Sequence, residues 1–124
     1  MKYIDGFVIP LKKSNLAAYK KMAQWGKKTW MKYGALDYVE SVGNDLKVQQ
    51  GGGVGFEKMA KLKSDETVVF SYIVYKSKKH RDEVNKKVMA EMNSPENVKK
   101  YESMPMPFDM KRFATGGFQS IVEA

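Results

Sequence analysis

The stretch TVVFSYIVY, residues 67–75, constrains the fold more than any other part of the chain. It is rich in β-branched and aromatic residues and bounded by polar ones, so it reads as a strand. Val68, Phe70, Tyr72 and Val74 point one way, and Val69, Ser71, Ile73 and Tyr75 the other. Both sets are largely apolar, so both faces of the sheet that contains this strand need cover.

The rest of the pattern supplies one cover. YIDGFVIP, residues 3–10, predicts a strand closed by Pro10. Ser14 then opens a helical pattern as N-cap. Leu16, Tyr19, Met22, Ala23, Gly26, Trp30 and Tyr33 share one arc at 100° per residue, and Gly34 ends the helix. Residues 35–43 alternate like a half-buried strand, the glycines at 51–53 form a loop, and VGFEKMAKL is expected to add a short strand. A second helix is predicted over 77–92, a helical turn over 95–101, and a last strand from 113, where Gly116 and Gly117 permit a bulge. The β-α-β-(β)-β-α-β order predicts a ferredoxin-like α+β fold, with both helices on one face of an antiparallel sheet. The 124 residues fit a single domain, 1–124. Cover for the other face is expected from a second copy of the chain, sheet against sheet, as a homodimer.

Composition removes several classes of function. Hydrophobic residues make up 43% and charged residues 29%, which suits a packed core. With no cysteine, thiolate metal sites, disulfides and cysteine nucleophiles are excluded, and a cytoplasmic location is expected. His80 is the sole histidine, so no metal site is expected, and no cofactor is implied. GGGVGF lacks the ending of a phosphate-binding loop, and no serine sits in a nucleophile elbow. The N-terminal MKYIDGFVIPLKK has Asp5 and Pro10 within its apolar part and reads as a strand, where a signal peptide would differ. No apolar run is long enough for a membrane span.

The net charge of +8 directs attention to the first helix, where Lys20, Lys21, Lys27 and Lys28 form a basic face with Trp25 at its edge. These five residues are candidates for non-specific polyanion or RNA binding through phosphates. Only Arg81 and Arg112 among the 22 basic residues are arginine, which argues against specific base reading.

The second helix carries a different signal. Val84, Val88 and Met92 define its buried side, and Arg81 and Asn85 fall inside that arc. A guanidinium turned toward the core needs a partner, because burying a lone charge is costly. Asp5 and Asp109 are the candidate partners. The alternative is a small-molecule pocket containing Arg81, Asn85, Asp5, Trp30, Tyr72, Asp109 and Arg112, suited to an uncharged or acidic ligand. The run MPMPFDMKRF, residues 104–113, is a stiff apolar strap placed to close the open end of the helix–sheet layer, as plug or lid.

With YIDGFV at its start, VVFSYIVYKS before the second helix, RDEVNKKVM on it and MPFDMKRFATGGF after it, the chain resembles the YbaA-like family of small bacterial proteins. The resemblance runs nearly end to end and implies a dimeric α+β barrel built from ferredoxin-like subunits. The wider group of such barrels includes cofactor-independent oxygenases and haem degraders, the latter with an iron-binding histidine on the second helix, roughly where His80 stands.

Overall fold

The structure is a computed structural model that describes all residues, Met1–Ala124. Four strands form one antiparallel sheet: β1 (Tyr3–Lys12), β2 (Asp37–Val42), β3 (Glu66–Tyr75) and β4 (Ala114–Gln119), in the order β2-β3-β1-β4. The helices are α1 (Leu16–Lys32), α2 (Phe56–Met59), α3 (Lys78–Met92) and α4 (Pro95–Glu102). The chain is therefore α+β. No helix is long and apolar enough to cross a membrane.

Strand parity divides the sheet cleanly. Register pairs Asp5 with Ile73, Phe7 with Ser71 and Ile9 with Val69, and these residues lie on the face that α1 and α3 cover. Ile9, Leu11 and Val69 pack with Tyr19 and Ala23 of α1. Ile73 and Tyr75 pack with Val84 and Val88 of α3. The opposite face carries Ile4, Val8, Val39, Phe70, Tyr72 and Phe118. Helix α2 meets this face through Phe56, whose ring lies edge-on to Phe70 at 6.2 Å. Phe70 remains 48% and Phe118 60% exposed.

Several expectations change on contact with the structure. β1 runs two residues past Pro10, which is buried and paired with Val68. The carbonyl of Val68 is turned toward β2, where it accepts from Gly43 N–H at 2.8 Å. The missing N–H of Pro10 therefore faces the β4 side, where pairing has already ended at Val8 and Ala114, so no ladder bond is lost. Ser14 does not cap α1. A 3-10 turn over Lys13–Asn15 leads in, and Asn15 instead donates through Nδ2 to the carbonyl of Pro107 at 3.0 Å. VGFEKMAKL contains the single helical turn of α2, since this segment crosses the open face and meets no free strand edge.

The glycine pair in β4 makes no bulge, because its register with β1 is one-to-one throughout. Its role is clearance. The ring of Phe118 lies over Gly6 and Gly116, and a Cβ on Gly117 would stand 2.7 Å from Cε2 of Tyr3. Gly34, with φ +110°, ends α1 as expected.

Candidate functional site

A cleft of about 560 Å³ lies between α1, α3, the helix-side face of the sheet and the 104–113 strap. Its walls are mainly aromatic and aliphatic, and its polar groups collect at two places.

The first group is built by α3. Ser77 caps that helix by accepting from His80 N–H at 3.1 Å, which starts the helix so that Arg81, Val84, Asn85 and Val88 share the inward side. Arg81 Nη1 donates to Asp5 Oδ1 at 3.2 Å, and Nη2 to the Tyr3 hydroxyl at 3.4 Å. Its guanidinium lies 4.9 Å from the Tyr3 ring centroid, a cation–π arrangement. Nε is 2.9 Å from Asp82 Oδ1 but without the alignment of a hydrogen bond. Trp30 Nε1 donates to Asn85 Oδ1 at 3.0 Å, and the Tyr75 hydroxyl donates to the same oxygen at 3.3 Å. Burial, reinforced by the charge of Asp5, raises the pKa of Tyr75.

The second group was not singled out from the sequence. Glu40 of β2 accepts from Tyr19 at 2.6 Å through one carboxylate oxygen and from Tyr38 at 3.0 Å through the other. Burial and then the hydrogen bond to Glu40 push the Tyr19 hydroxyl well above its usual pKa; burial and then the charge of Glu40 do the same to Tyr38. The Tyr38 hydroxyl is tucked under α1, where a Cβ on Gly26 would stand 2.7 Å away, so the in-arc glycine clears that tyrosine. Tyr19, Ala23, Tyr38 and Glu40 also line a second cleft, of about 460 Å³, between α1 and β2, and so form the partition between the two. The missed signal was the alternation Tyr38-x-Glu40, which sets a carboxylate and a phenol side by side on one face of a strand.

Of the residues named from sequence, Asp5, Trp30, Arg81 and Asn85 line the larger cleft together. Tyr72 does not join them. It pairs with Gly6 and Val39 on the open face and packs on Phe70, because its parity is opposite to that of Ser71 and Ile73. Asp109 also stands apart: it is exposed, and its carboxylate takes the Lys111 N–H at 2.9 Å within the strap. Arg112 pairs with neither Asp5 nor Asp109. It clasps Glu66 with bonds of 2.6 and 2.9 Å and donates to the carbonyl of Lys61 at 3.0 Å. That clasp, helped by the Lys63 N–H, lowers the Glu66 pKa to about 2. The strap does reach the cleft, through Phe108 and Met110. Phe108 is fixed edge-on to Tyr19 at 5.9 Å and to Phe113 at 5.6 Å.

The basic face of α1 is less suited to polyanions than its lysines suggest. Lys20, Lys21, Lys27 and Lys28 are exposed, and Lys20 and Lys27 flank the smaller cleft. Trp25, at the edge of this face, is half-buried with its ring edge-on to Tyr101 of α4 at 5.2 Å, where it docks α4 onto α1. His80 is poorly placed to hold a haem iron over the cleft. Its Nδ1 accepts from Lys76 N–H at 3.0 Å, its Nε2 lies against Gly34, and its ring packs on Tyr75 outside the cleft lining.

Fold and site together define a small α+β protein with a cleft under its helices. The chain belongs to the family described as "Protein of unknown function (DUF1428)", which matches residues 2–110. It is 40% identical over 123 residues to the "Uncharacterized protein YbaA" of Escherichia coli K12, covering 99% of each chain. The proteins of the same name from Escherichia coli O157:H7 and Shigella flexneri match at the same 40% identity and 99% coverage.

Proposed function

We propose that this protein binds a small organic molecule in the larger cleft, and that it works as a homodimeric α+β barrel of ferredoxin-like subunits. The observation that carries the binding reading is the combination of about 560 Å³ of mostly apolar space with the Asp5–Arg81 pair and Asn85 at its wall. A largely apolar cavity with a few convergent polar groups is the usual form of a small-molecule site.

Two observations support the barrel. The strand order β2-β3-β1-β4, with α1 and α3 on one face, is the order of a ferredoxin-like subunit. The uncovered face presents Ile4, Val8, Val39, Phe70, Tyr72 and Phe118 as a continuous apolar surface at the sheet centre. Such a surface favours association. For an oxygenase-like transformation, the cleft supplies a carboxylate hydrogen-bonded to two phenols, Glu40 with Tyr19 and Tyr38.

The test of binding uses the protein's own reporters. Both tryptophans, Trp25 and Trp30, line the cleft, so an occupant alters the intrinsic emission. A screen of metabolite-sized compounds is expected to give saturable changes that Trp30→Phe diminishes and that coincide with a rise in Tm. Saturable ligands that leave both tryptophans unchanged would place binding elsewhere and overturn this reading. Equilibrium sedimentation tests the dimer, and a clean monomer at micromolar concentration would overturn it.

A further inference from the structure

The unused hydrogen-bonding capacity of the cleft differs in kind between its two ends. At the α3 end, the indole N–H of Trp30 can only donate, so the Asn85 atom it meets at 3.0 Å is the amide oxygen. Tyr75 donates to that oxygen as well, which fixes the orientation of the amide. The two N–H groups on Asn85 Nδ2 then have no partner within the chain. Arg81, beside it, is already matched by Asp5 and approached by Asp82, so this end offers donors without surplus positive charge.

At the β2 end, Glu40 holds one tyrosine hydroxyl on each oxygen. A carboxylate has about four lone-pair sites, so about two remain. Its charge has no matching cation, for the chain's ion pairs join Lys32 to Glu91, Arg81 to Asp5 and Asp82, and Arg112 to Glu66. Lys20 and Lys27 flank the smaller cleft without pairing to it. Glu40 therefore receives donors and repels anions. Between the two ends, the walls are Phe7, Met22, Trp30 and Ile73.

Resting on the small-molecule reading above, we infer that the ligand is an uncharged, largely apolar molecule with an acceptor of the carbonyl type at Asn85 and a hydroxyl or N–H donor at Glu40. Register sets the scale. Asp5, which anchors Arg81, pairs with Ile73, which pairs with Tyr38, two residues from Glu40. Two strand spacings and two residues of rise separate the Asp5 and Glu40 backbones by about 12 Å. A cleft of about 560 Å³ has room for a fused bicyclic ring.

The experiment uses three probes on the full chain in mildly acidic buffer, where phenols are neutral. 7-Hydroxycoumarin has both groups, 7-methoxycoumarin lacks the donor, and 2-naphthol lacks the carbonyl. Calorimetry is expected to rank 7-hydroxycoumarin tighter than each analogue by about tenfold. Asn85→Asp keeps an acceptor for Trp30 and Tyr75 but deletes the Nδ2 donors, and is expected to abolish the preference over 2-naphthol. Glu40→Gln is expected to shrink the preference over 7-methoxycoumarin. Equal affinity for the three probes, or preferences that survive both substitutions, overturns the donor–acceptor assignment while the cleft remains a binding site. No saturable binding of any probe also overturns it, and the small-molecule reading falls as well only if the tryptophan screen is blank.

Discussion

Replacing Gly117 by alanine tests how the Arg81 end of the cleft is held. Gly117 lies within β4, in regular register with Asp5, and its φ is outside the left-handed region. On backbone grounds alone, alanine in a strand interior is more stable than glycine by about 0.5–1 kcal/mol. The obstacle is Tyr3. The new Cβ would stand 2.7 Å from its Cε2 and 2.8 Å from its Cζ, with the hydroxyl closer still. These atoms form the outer end of a ring that can swing aside, so the overlap costs about 1 kcal/mol, the low end of the overpacking range. Swinging aside also removes the ring from the Arg81 guanidinium, 4.9 Å from its centroid. A partly exposed cation–π contact contributes about 0.5–1 kcal/mol. Gly117→Ala should therefore lower stability by about 1 kcal/mol in the natural chain. In a Tyr3→Ala background both costs vanish, and the same substitution should raise stability by up to about 1 kcal/mol. Urea unfolding of the four proteins, with m values compared, measures this reversal of sign. An equal cost in both backgrounds would refute the claim that Gly117 is a glycine because of Tyr3.

Two predictions concern pH. The folded pKa of Glu66 lies near 2, below its ordinary 4.5, so its pairing contributes stability that is present above pH 4.5 and is lost as pH falls through about 2. Arg112→Gln removes the bidentate partner of a carboxylate whose side chain is only 6% exposed. The gap in urea midpoint between natural chain and variant should be widest above pH 4.5 and close toward pH 2; a gap independent of pH would contradict the pairing. Tyr19, Tyr38 and Tyr75 all have raised pKa values, so their contribution is complete below the ordinary 10.0 and is lost at higher pH. Ultraviolet titration should show these three ionising only together with alkaline unfolding. Smooth ionisation of every tyrosine near pH 10 in the folded protein would contradict their burial.

The sequence made the frame of the fold legible because its strongest signals are local. The double-sided apolarity of 67–75, the arc of α1 with its terminal Gly34, and the Ser77 start of α3 each report a single element. Arg81 and Asn85 were also legible, because charge and amide at core positions of a helix stand out from any solvated pattern. What failed needed knowledge across elements. Parity grouped Tyr72 with Phe70 correctly, but which face the helices would cover could not be read from a strand apolar on both sides. Pro10 ends a strand only where its missing N–H would have met a neighbour, and here β4 stops short of it. Arg112 left the expected pocket for Glu66 because the strap folds back across the start of β3. Trp25 left the lysine face for Tyr101, on a helix far along the chain. Glu40 escaped notice since a lone glutamate in a strand ordinarily faces water. It is the pair of tyrosines from two elements that makes it part of a site.

The most direct test of the central claim is native mass spectrometry of the full chain as purified at moderate salt. The expected result is a dimer that carries a discrete added mass, that of a small organic molecule, and that retains less of it on Asn85→Asp while remaining a dimer. A monomer with no added mass would contradict both the barrel and the occupied cleft. High-mass adducts that disappear with nuclease would instead return the weight to the lysines of α1.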